Sequence, residues 1–338
     1  MADNLVLLIG SPRSGSTMLQ RMLGSHSQIF TRPEPHMLTP LAYLGYHDTV
    51  EKAPYDHINA AKAIREYVEA LPRGEEDYLD ALRAYTSTMY GRILEGRPQR
   101  FFMDKTPAYG LVLPFVTRLL PDARYVVLTR HPLAVLSSYA NSFFEGDYGK
   151  AYAFNPILHR YVPAIAAMIR ERPVPFVMVR YEDLVADPSK ELRRIFEHLG
   201  LEHEESAVNY GAHKHEKGSF GDPKVADHDR PVTTSKERWA DELAADPSKL
   251  ELARQIITEL SPDDLAAWGY PVGEIFEALG RADGQRAKAD EGWNLKWAVN
   301  PYRLQRKVLL TLKKDIHTSQ LGKAVRRVRY YCDVLLRE

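Results

Sequence analysis

Four short runs of branched aliphatic or aromatic residues stand out along the chain: Leu5–Ile9, Phe101–Met103, Tyr125–Thr129 and Phe176–Val179. They are continuous rather than alternating. Successive side chains of a strand point to opposite sides of the sheet, so an unbroken apolar run means burial on both faces. Between the runs, apolar residues recur three and four apart, the period of a helix with one buried face. The order predicts an α/β fold, an open parallel sheet of the P-loop type flanked by helices.

Several helices mark their own ends. Asp187-Pro188 and Asp246-Pro247 each set a capping carboxylate before a proline, whose missing N–H is harmless in a first turn. After the first pair, Leu192, Ile195, Phe196 and Leu199 form one apolar face, and Gly200 supplies the stop. Helical stretches at Ile58–Leu71 and Tyr78–Leu94 precede the second strand and predict a helical cap at about 40–98. From His203 to Arg238 the chain is polar and rich in glycine, proline and histidine, so a functional or mobile loop is expected at about 203–238. The main domain would then occupy 1–275, with 276–338 a linker and a helical extension.

Charge sets that extension apart. The whole chain of 338 residues has a formal net charge of zero, yet 301–338 holds ten basic and three acidic residues, a net +7. Leu304, Val308, Leu309, Leu312 and Ile316, then Leu321, Val325, Val328 and Leu335, follow helical spacing, which predicts two amphipathic helices with basic outer faces. They could dock on the main domain, or meet an anionic membrane surface or an acidic partner. With 44% hydrophobic residues the chain can bury a sizeable core. Its single cysteine, Cys332, excludes an internal disulfide framework and a clustered thiolate metal site. No basic leader precedes Leu5–Ile9, and no window approaches the ~18 apolar residues of a membrane span, so a cytoplasmic protein is expected, peripheral at a membrane if the tail binds one.

The candidate chemistry begins at Gly10–Thr17, "GSPRSGST", directly after the first strand. The frame is that of a nucleotide loop, but Ser16 stands where the phosphate-binding lysine belongs. A strand, a glycine turn and a helix start still aim main-chain N–H groups and a positive helix end at one point, an anion site whatever the side chains. Arg13 adds a permanent charge with a planar fork. A second stretch, Arg124–Tyr139, "RYVVLTRHPLAVLSSY", ends a strand at Thr129 and places Arg130 in the following loop, where ligands of open parallel sheets sit. Pro132 is expected to block an immediate helix turn before a helix bearing Ser137 and Ser138.

Together these stretches resemble the 5′-phosphosulfate loop and 3′-phosphate motif of sulfotransferases that use 3′-phosphoadenosine-5′-phosphosulfate. "PRSG" matches the branch that includes many bacterial enzymes and the protein-tyrosine sulfotransferases. The resemblance runs roughly from Leu5 to Trp239. It implies Ser14, Gly15, Ser16 and Thr17 as the cradle of the 5′-phosphate, Arg13 as the cation on the departing oxygen, and Arg130 with Ser138 as the 3′-phosphate site. "VRYEDL", Val179–Leu184, implies Tyr181 beside the adenine. "KGSFGD" implies Lys217 and Gly218 in a later 3′-phosphate loop, although Glu216 stands before Lys217 in place of an arginine. "SKERW", Ser235–Trp239, resembles the stretch that follows. Lys105 in "MDKTP" becomes a second cation on the sulfuryl oxygens. Glu34 in "TRPEPHML", held between Pro33 and Pro35, matches the branch's catalytic glutamate, with His36 as the competing base.

The resemblance implies a hydroxyl-bearing acceptor, a carbohydrate, glycolipid or lipid alcohol, with no metal and no nucleic acid. Cap tyrosines Tyr43, Tyr46, Tyr55, Tyr67, Tyr78 and Tyr85 are candidates to line its pocket. The alternative is a small-molecule or nucleoside kinase in which Asp104 of "FFMD" holds magnesium. A third possibility is a non-catalytic membrane-surface scaffold built on the basic tail.

Overall fold

The computed structural model describes residues 4–48, 57–216, 225, 228–232 and 238–287. Lys217, Gly218, Tyr55, Ser235 and the predicted basic helices of 301–338 lie outside the described residues.

Among the described residues, strands β1 (Leu5–Gly10), β2 (Ile29–Thr31), β3 (Phe101–Asp104), β4 (Arg124–Thr129) and β5 (Phe176–Arg180) form one sheet in the order β2-β3-β1-β4-β5. Every pairing is parallel, with Leu7 opposite Asp104 on one side of β1 and opposite Tyr125 on the other. Four strands fall on the predicted apolar runs. The fifth, β2, is a three-residue edge strand too short to show as a run.

Along each strand the side chains divide between two cores. Leu5, Leu7, Ile9, Phe102, Tyr125 and Val127 enter one, and Val6, Leu8, Phe101, Met103, Val126 and Leu128 the other. The helices follow in chain order: α1 (Ser16–Gly24), α2 (Leu38–Ala42), α3 (His57–Glu69), α4 (Glu75–Leu94), α5 (Leu113–Leu119), α6 (Pro132–Phe143) and α7 (Tyr148–Phe154), then α8 (Ile157–Glu171), α9 (Tyr181–Ala186), α10 (Pro188–Leu199), α11 (Arg238–Ala245), α12 (Pro247–Glu259), α13 (Pro262–Ala267) and α14 (Val272–Ala287). Apolar faces of α1, α9 and α10 fill the second core, while α4 to α8 and α11 to α14 fill the first.

The segment expected as a cap supplies α3 and α4, and α4 is built into the first core: Tyr90 stacks on Phe102 at 5.3 Å. Capping follows the sequence closely. The Asp187 carboxylate accepts the Lys190 N–H, Asp246 accepts those of Ser248 and Lys249, and Gly200 closes α10 in the left-handed region. One expectation is corrected. Pro132 does not delay a helix; it opens α6 as its first residue, where its fixed φ already suits the helix. Among the described residues no helix is long and apolar enough to cross a membrane.

Gly200 sits at φ 65° with nothing within 4 Å of the place its Cβ would take, so a side chain there meets conformational strain alone. Gly200→Ala is expected to lower the unfolding free energy by ~1 kcal/mol, read as an earlier urea midpoint with an unchanged slope.

Candidate active site

The loop after β1 reverses sharply. A Cβ on Gly10 would lie 2.9 Å from Ser14 Oγ and 3.0 Å from the Leu128 carbonyl oxygen, so the strand end must be bare. The Ser14 N–H donates to the Ser11 carbonyl at 3.2 Å, Arg13 takes φ 67° and Gly15 φ 91°. No side chain caps α1. Its first-turn amides, which no intrahelical carbonyl accepts, therefore face the loop's concavity together with the positive helix end. Of the predicted cradle, Gly15, Ser16 and Thr17 form this turn and helix start. The Ser14 N–H closes the turn, and its Oγ is buried with no hydrogen-bond partner among the described residues.

Gly15 is constrained twice. Besides its positive φ, a Cβ there would come 2.4 Å from the Tyr181 ring, which lies flush on the loop from the start of α9. The Arg130 guanidinium sits over the same ring, 4.2 Å from its centroid, and donates from Nη1 to the Arg13 carbonyl at 3.1 Å. Arg13 Nε donates to Ser138 Oγ at 3.1 Å. Strand ends and helix starts far apart in sequence thus bring Arg13, Gly15, Arg130, Ser138 and Tyr181 to the wall of one cleft of about 430 Å³.

A third group adjoins the loop from β3. Lys105 is 1% exposed, with Nζ 2.6 Å from Glu34 Oε1 and 3.4 Å from Thr17 Oγ1. His36 Nε2 lies 3.6 Å from the other Glu34 oxygen, and His36 takes φ 54°. Burial, opposed by the Arg160 charge and aided by Glu34 and Tyr139, pushes the Tyr161 hydroxyl up to about 12. Lys105 therefore pairs with Glu34 and not with its neighbour Asp104. That aspartate is fully buried and accepts hydrogen bonds from Tyr90, Tyr109 and Thr106, so it offers no free ligand for the magnesium of a kinase.

Other residues of the site were missed in the sequence. Trp268 Nε1 donates to the Arg130 carbonyl at 2.8 Å, and Trp239 stacks on His131 at 4.3 Å and 12°. The His131 N–H donates to Glu182, which also accepts from Tyr270. Glu242 gathers Ser137, Asn141, Tyr148 and Arg238, and burial is outweighed by the first three of these donors, so its carboxyl stays below the ordinary range. His131, Ser137, Glu182, Arg238 and Trp239 lie within the quoted stretches, whereas Asn141, Tyr148, Glu242, Trp268 and Tyr270 carried no signal. Of the cap tyrosines, Tyr43 packs against the first core, Tyr46 and Tyr78 pack on one another at 4.9 Å, and Tyr67 and Tyr85 face solvent. Next to Arg13, instead, runs an aromatic track. The guanidinium is 5.9 Å from the Phe143 ring, Tyr139 lies 5.5 Å from both Phe143 and Phe144, and Phe144 lies 5.6 Å from Phe154.

A parallel sheet whose first strand runs into an uncapped helix start, with two arginines at the strand ends, defines a binder of phosphate-bearing nucleotides. Residues 6–205 match the sulfotransferase family model, and the chain belongs to this family of sulfuryl-transferring enzymes. Nodulation protein NoeE of Sinorhizobium fredii is 26% identical over 288 residues, covering 77% of this chain; the chain spans 64% of NoeE. The omega-hydroxy-beta-dihydromenaquinone-9 sulfotransferase Stf3 of Mycobacterium bovis is 24% identical over 152 residues, 38% of this chain and 39% of its own. The fold is shared with the sulfotransferase domain of the Synechococcus PCC 7002 olefin synthase, at TM-score 0.51 and 24% identity over 76% of this chain and 95% of that one.

Burial, with the Arg180 and Arg130 charges, holds the His131 imidazole down to about 3. A base whose folded value lies below its unfolded ~6.5 binds fewer protons when folded, so its effect is absent above ~6.5 and stability falls as pH drops from there toward 3. Between pH 7 and 5 the loss from this residue should reach about 2 kcal/mol, and His131→Gln should remove that slope from urea midpoints measured across the interval.

Proposed function

We propose that this chain transfers the sulfuryl group of 3′-phosphoadenosine-5′-phosphosulfate to the hydroxyl of an apolar alcohol, with Glu34 as general base. The observation that carries the proposal is the Lys105 ammonium, buried 2.6 Å from Glu34 and 3.4 Å from Thr17 at the open start of α1. It sets a candidate base and a cation beside the anion cradle, with Arg13 on the same loop.

The residues fit such a donor. The uncapped start of α1 offers main-chain amides through which Gly15, Ser16 and Thr17 would hold the 5′-phosphate, with Ser14, whose buried Oγ has no hydrogen-bond partner among the described residues, beside them. Arg130 and Ser138 would take the 3′-phosphate, with Lys217 and Gly218 as further candidates from the sequence alone, and Tyr181 would flank the adenine. In the transfer, the acceptor oxygen forms a bond to sulfur as the bond from sulfur to the 5′-phosphate oxygen breaks. The electron pair of the broken bond stays on that oxygen, where Arg13 and Lys105 meet the charge. The hydroxyl proton passes to the Glu34 carboxylate.

The aromatic track supports an apolar acceptor over a free sugar. Phe143 and Phe154 are 63% and 78% exposed, and large apolar side chains left in solvent beside a reacting centre favour an apolar partner. The mycobacterial relative's name, which includes an omega-hydroxy lipid quinone, points the same way. The basic segment 301–338 would bring the enzyme to membranes that hold such alcohols.

The test is radiolabelled transfer from the donor to dodecan-1-ol and, separately, to free glucose, with the first turned over and the second not. Glu34→Gln should lower the rate by ~10²–10⁴-fold while calorimetry still finds wild-type affinity for adenosine 3′,5′-bisphosphate in EDTA. A wild-type rate in the variant would place the base elsewhere, and heat with magnesium ATP but none with the bisphosphate would overturn the donor.

A further inference from the structure

The Glu34 segment is awkward to hold. It runs between two prolines, neither of which has an N–H to anchor it, and then passes through His36 at φ 54°, a conformation that L side chains avoid. Before Glu34, the buried Gln20 donates from Nε2 to the Arg32 carbonyl at 2.9 Å. After it, both anchoring contacts lead to one buried carboxylate. The His36 N–H donates to Thr106 Oγ1 at 3.4 Å, and Thr106 Oγ1 donates to Asp104 Oδ1 at 2.9 Å. The Leu38 N–H donates to the Tyr109 hydroxyl at 3.1 Å, and that hydroxyl donates to Asp104 Oδ2 at 2.8 Å.

We infer that Asp104 is the positioning residue of the Glu34 loop, acting on its backbone through Thr106 and Tyr109. The inference rests on the assignment of Glu34 as base. An ionised carboxylate accepts on both oxygens, so it fixes the hydrogen of each hydroxyl toward itself and turns each hydroxyl's lone pairs toward the loop amide. Chains of this kind polarise one another, and in a dry interior each link is strengthened. Asp104 and Lys105 adjoin at the end of β3, so one strand end holds the base from two sides: the lysine touches Glu34 and the aspartate sets the backbone that bears it. Burial pushes the Asp104 carboxyl up from its ordinary range, with the three hydroxyls opposing the shift. A buried carboxylate costs more at this place than a packed apolar residue would; turning the lone pairs of two hydroxyls toward a strained loop requires an acceptor on their far side.

The third donor separates this role from a general structural one. Tyr90 donates to Asp104 Oδ2 at 2.7 Å from α4 and adjoins the Tyr109 hydroxyl, yet among the described residues it makes no hydrogen bond to the loop backbone. Amide exchange followed by mass spectrometry on the full chain decides the matter. Tyr109→Phe should speed exchange at Leu38 at least tenfold, Thr106→Val should do so at His36, and Asp104→Asn at both, while Tyr90→Phe leaves both within twofold of wild type. Equal acceleration in all four variants, or in none, would overturn the inference.

Function gives a second readout. Asp104→Asn and Tyr109→Phe should slow transfer to dodecan-1-ol at least tenfold without altering the dissociation constant for adenosine 3′,5′-bisphosphate, which also verifies that each variant is folded. In a Glu34→Gln background the same changes should slow transfer less than twofold, because the group they position is gone. Full additivity would overturn the inference. If Glu34→Gln by itself leaves transfer untouched, the base assignment fails, and the exchange pattern still decides whether Asp104 sets the loop.

Discussion

The site depends on how the chain leaves β1. Two residues in three, Arg13 and Gly15, turn through the left-handed region, and only that path lets α1 begin with its amides facing back over the strand end. The second of these positions has no alternative residue: its φ is positive and the Tyr181 ring occupies the space of a Cβ. Arg13 has a side chain and accepts strain that a glycine would not feel. In exchange a guanidinium is held beside the helix start, with its carbonyl gripped by Arg130 and its Nε by Ser138.

Around that turn the sheet acts as a jig. β3, β1 and β4 are adjacent and parallel, so their ends open on the same edge and deliver Lys105, the loop after β1 and Arg130 to one place. Each is then braced from behind. Trp268 and Tyr181 fix Arg130, Glu182 and Trp239 fix His131, and Asp104 braces the loop opposite Lys105. These braces come from the first core, the second core and the sheet edge alike. The charged groups of the site are buried or half-buried because the fold surrounds them, and their partners are other parts of the fold.

A fully buried lysine two residues from the end of an apolar run would be hard to sustain without its counter-ion, since an isolated buried charge is strongly disfavoured. Glu34 supplies it at 2.6 Å. The family match across 6–205 covers the loop, the glutamate, the lysine and the Arg130 stretch, so the sulfotransferase assignment and the geometry fall on the same residues. Beside Arg13 an aromatic track leaves along α6 and α7.

The sequence by itself determined what depends on neighbours along the chain. Unbroken apolar runs marked four strands, Asp-Pro pairs and Gly200 marked helix ends, and "GSPRSGST" marked an anion loop, because burial, capping and φ preference act over a few residues. It also nominated Glu34, Lys105, Arg130 and Ser138, each from a short motif. Only the tertiary structure decided who meets whom. Lys105 pairs with Glu34 rather than with adjacent Asp104, the Ser14 amide closes the turn, and Trp268 and Glu242 enter from positions that no motif marked. The edge strand β2 was equally silent, three residues stabilised by pairing with β3 rather than by their own composition. Contacts of this kind follow from strand order and from helices packing across the sheet, and parallel strands must be joined by long crossovers, so the partners that complete the site are necessarily far apart in the chain.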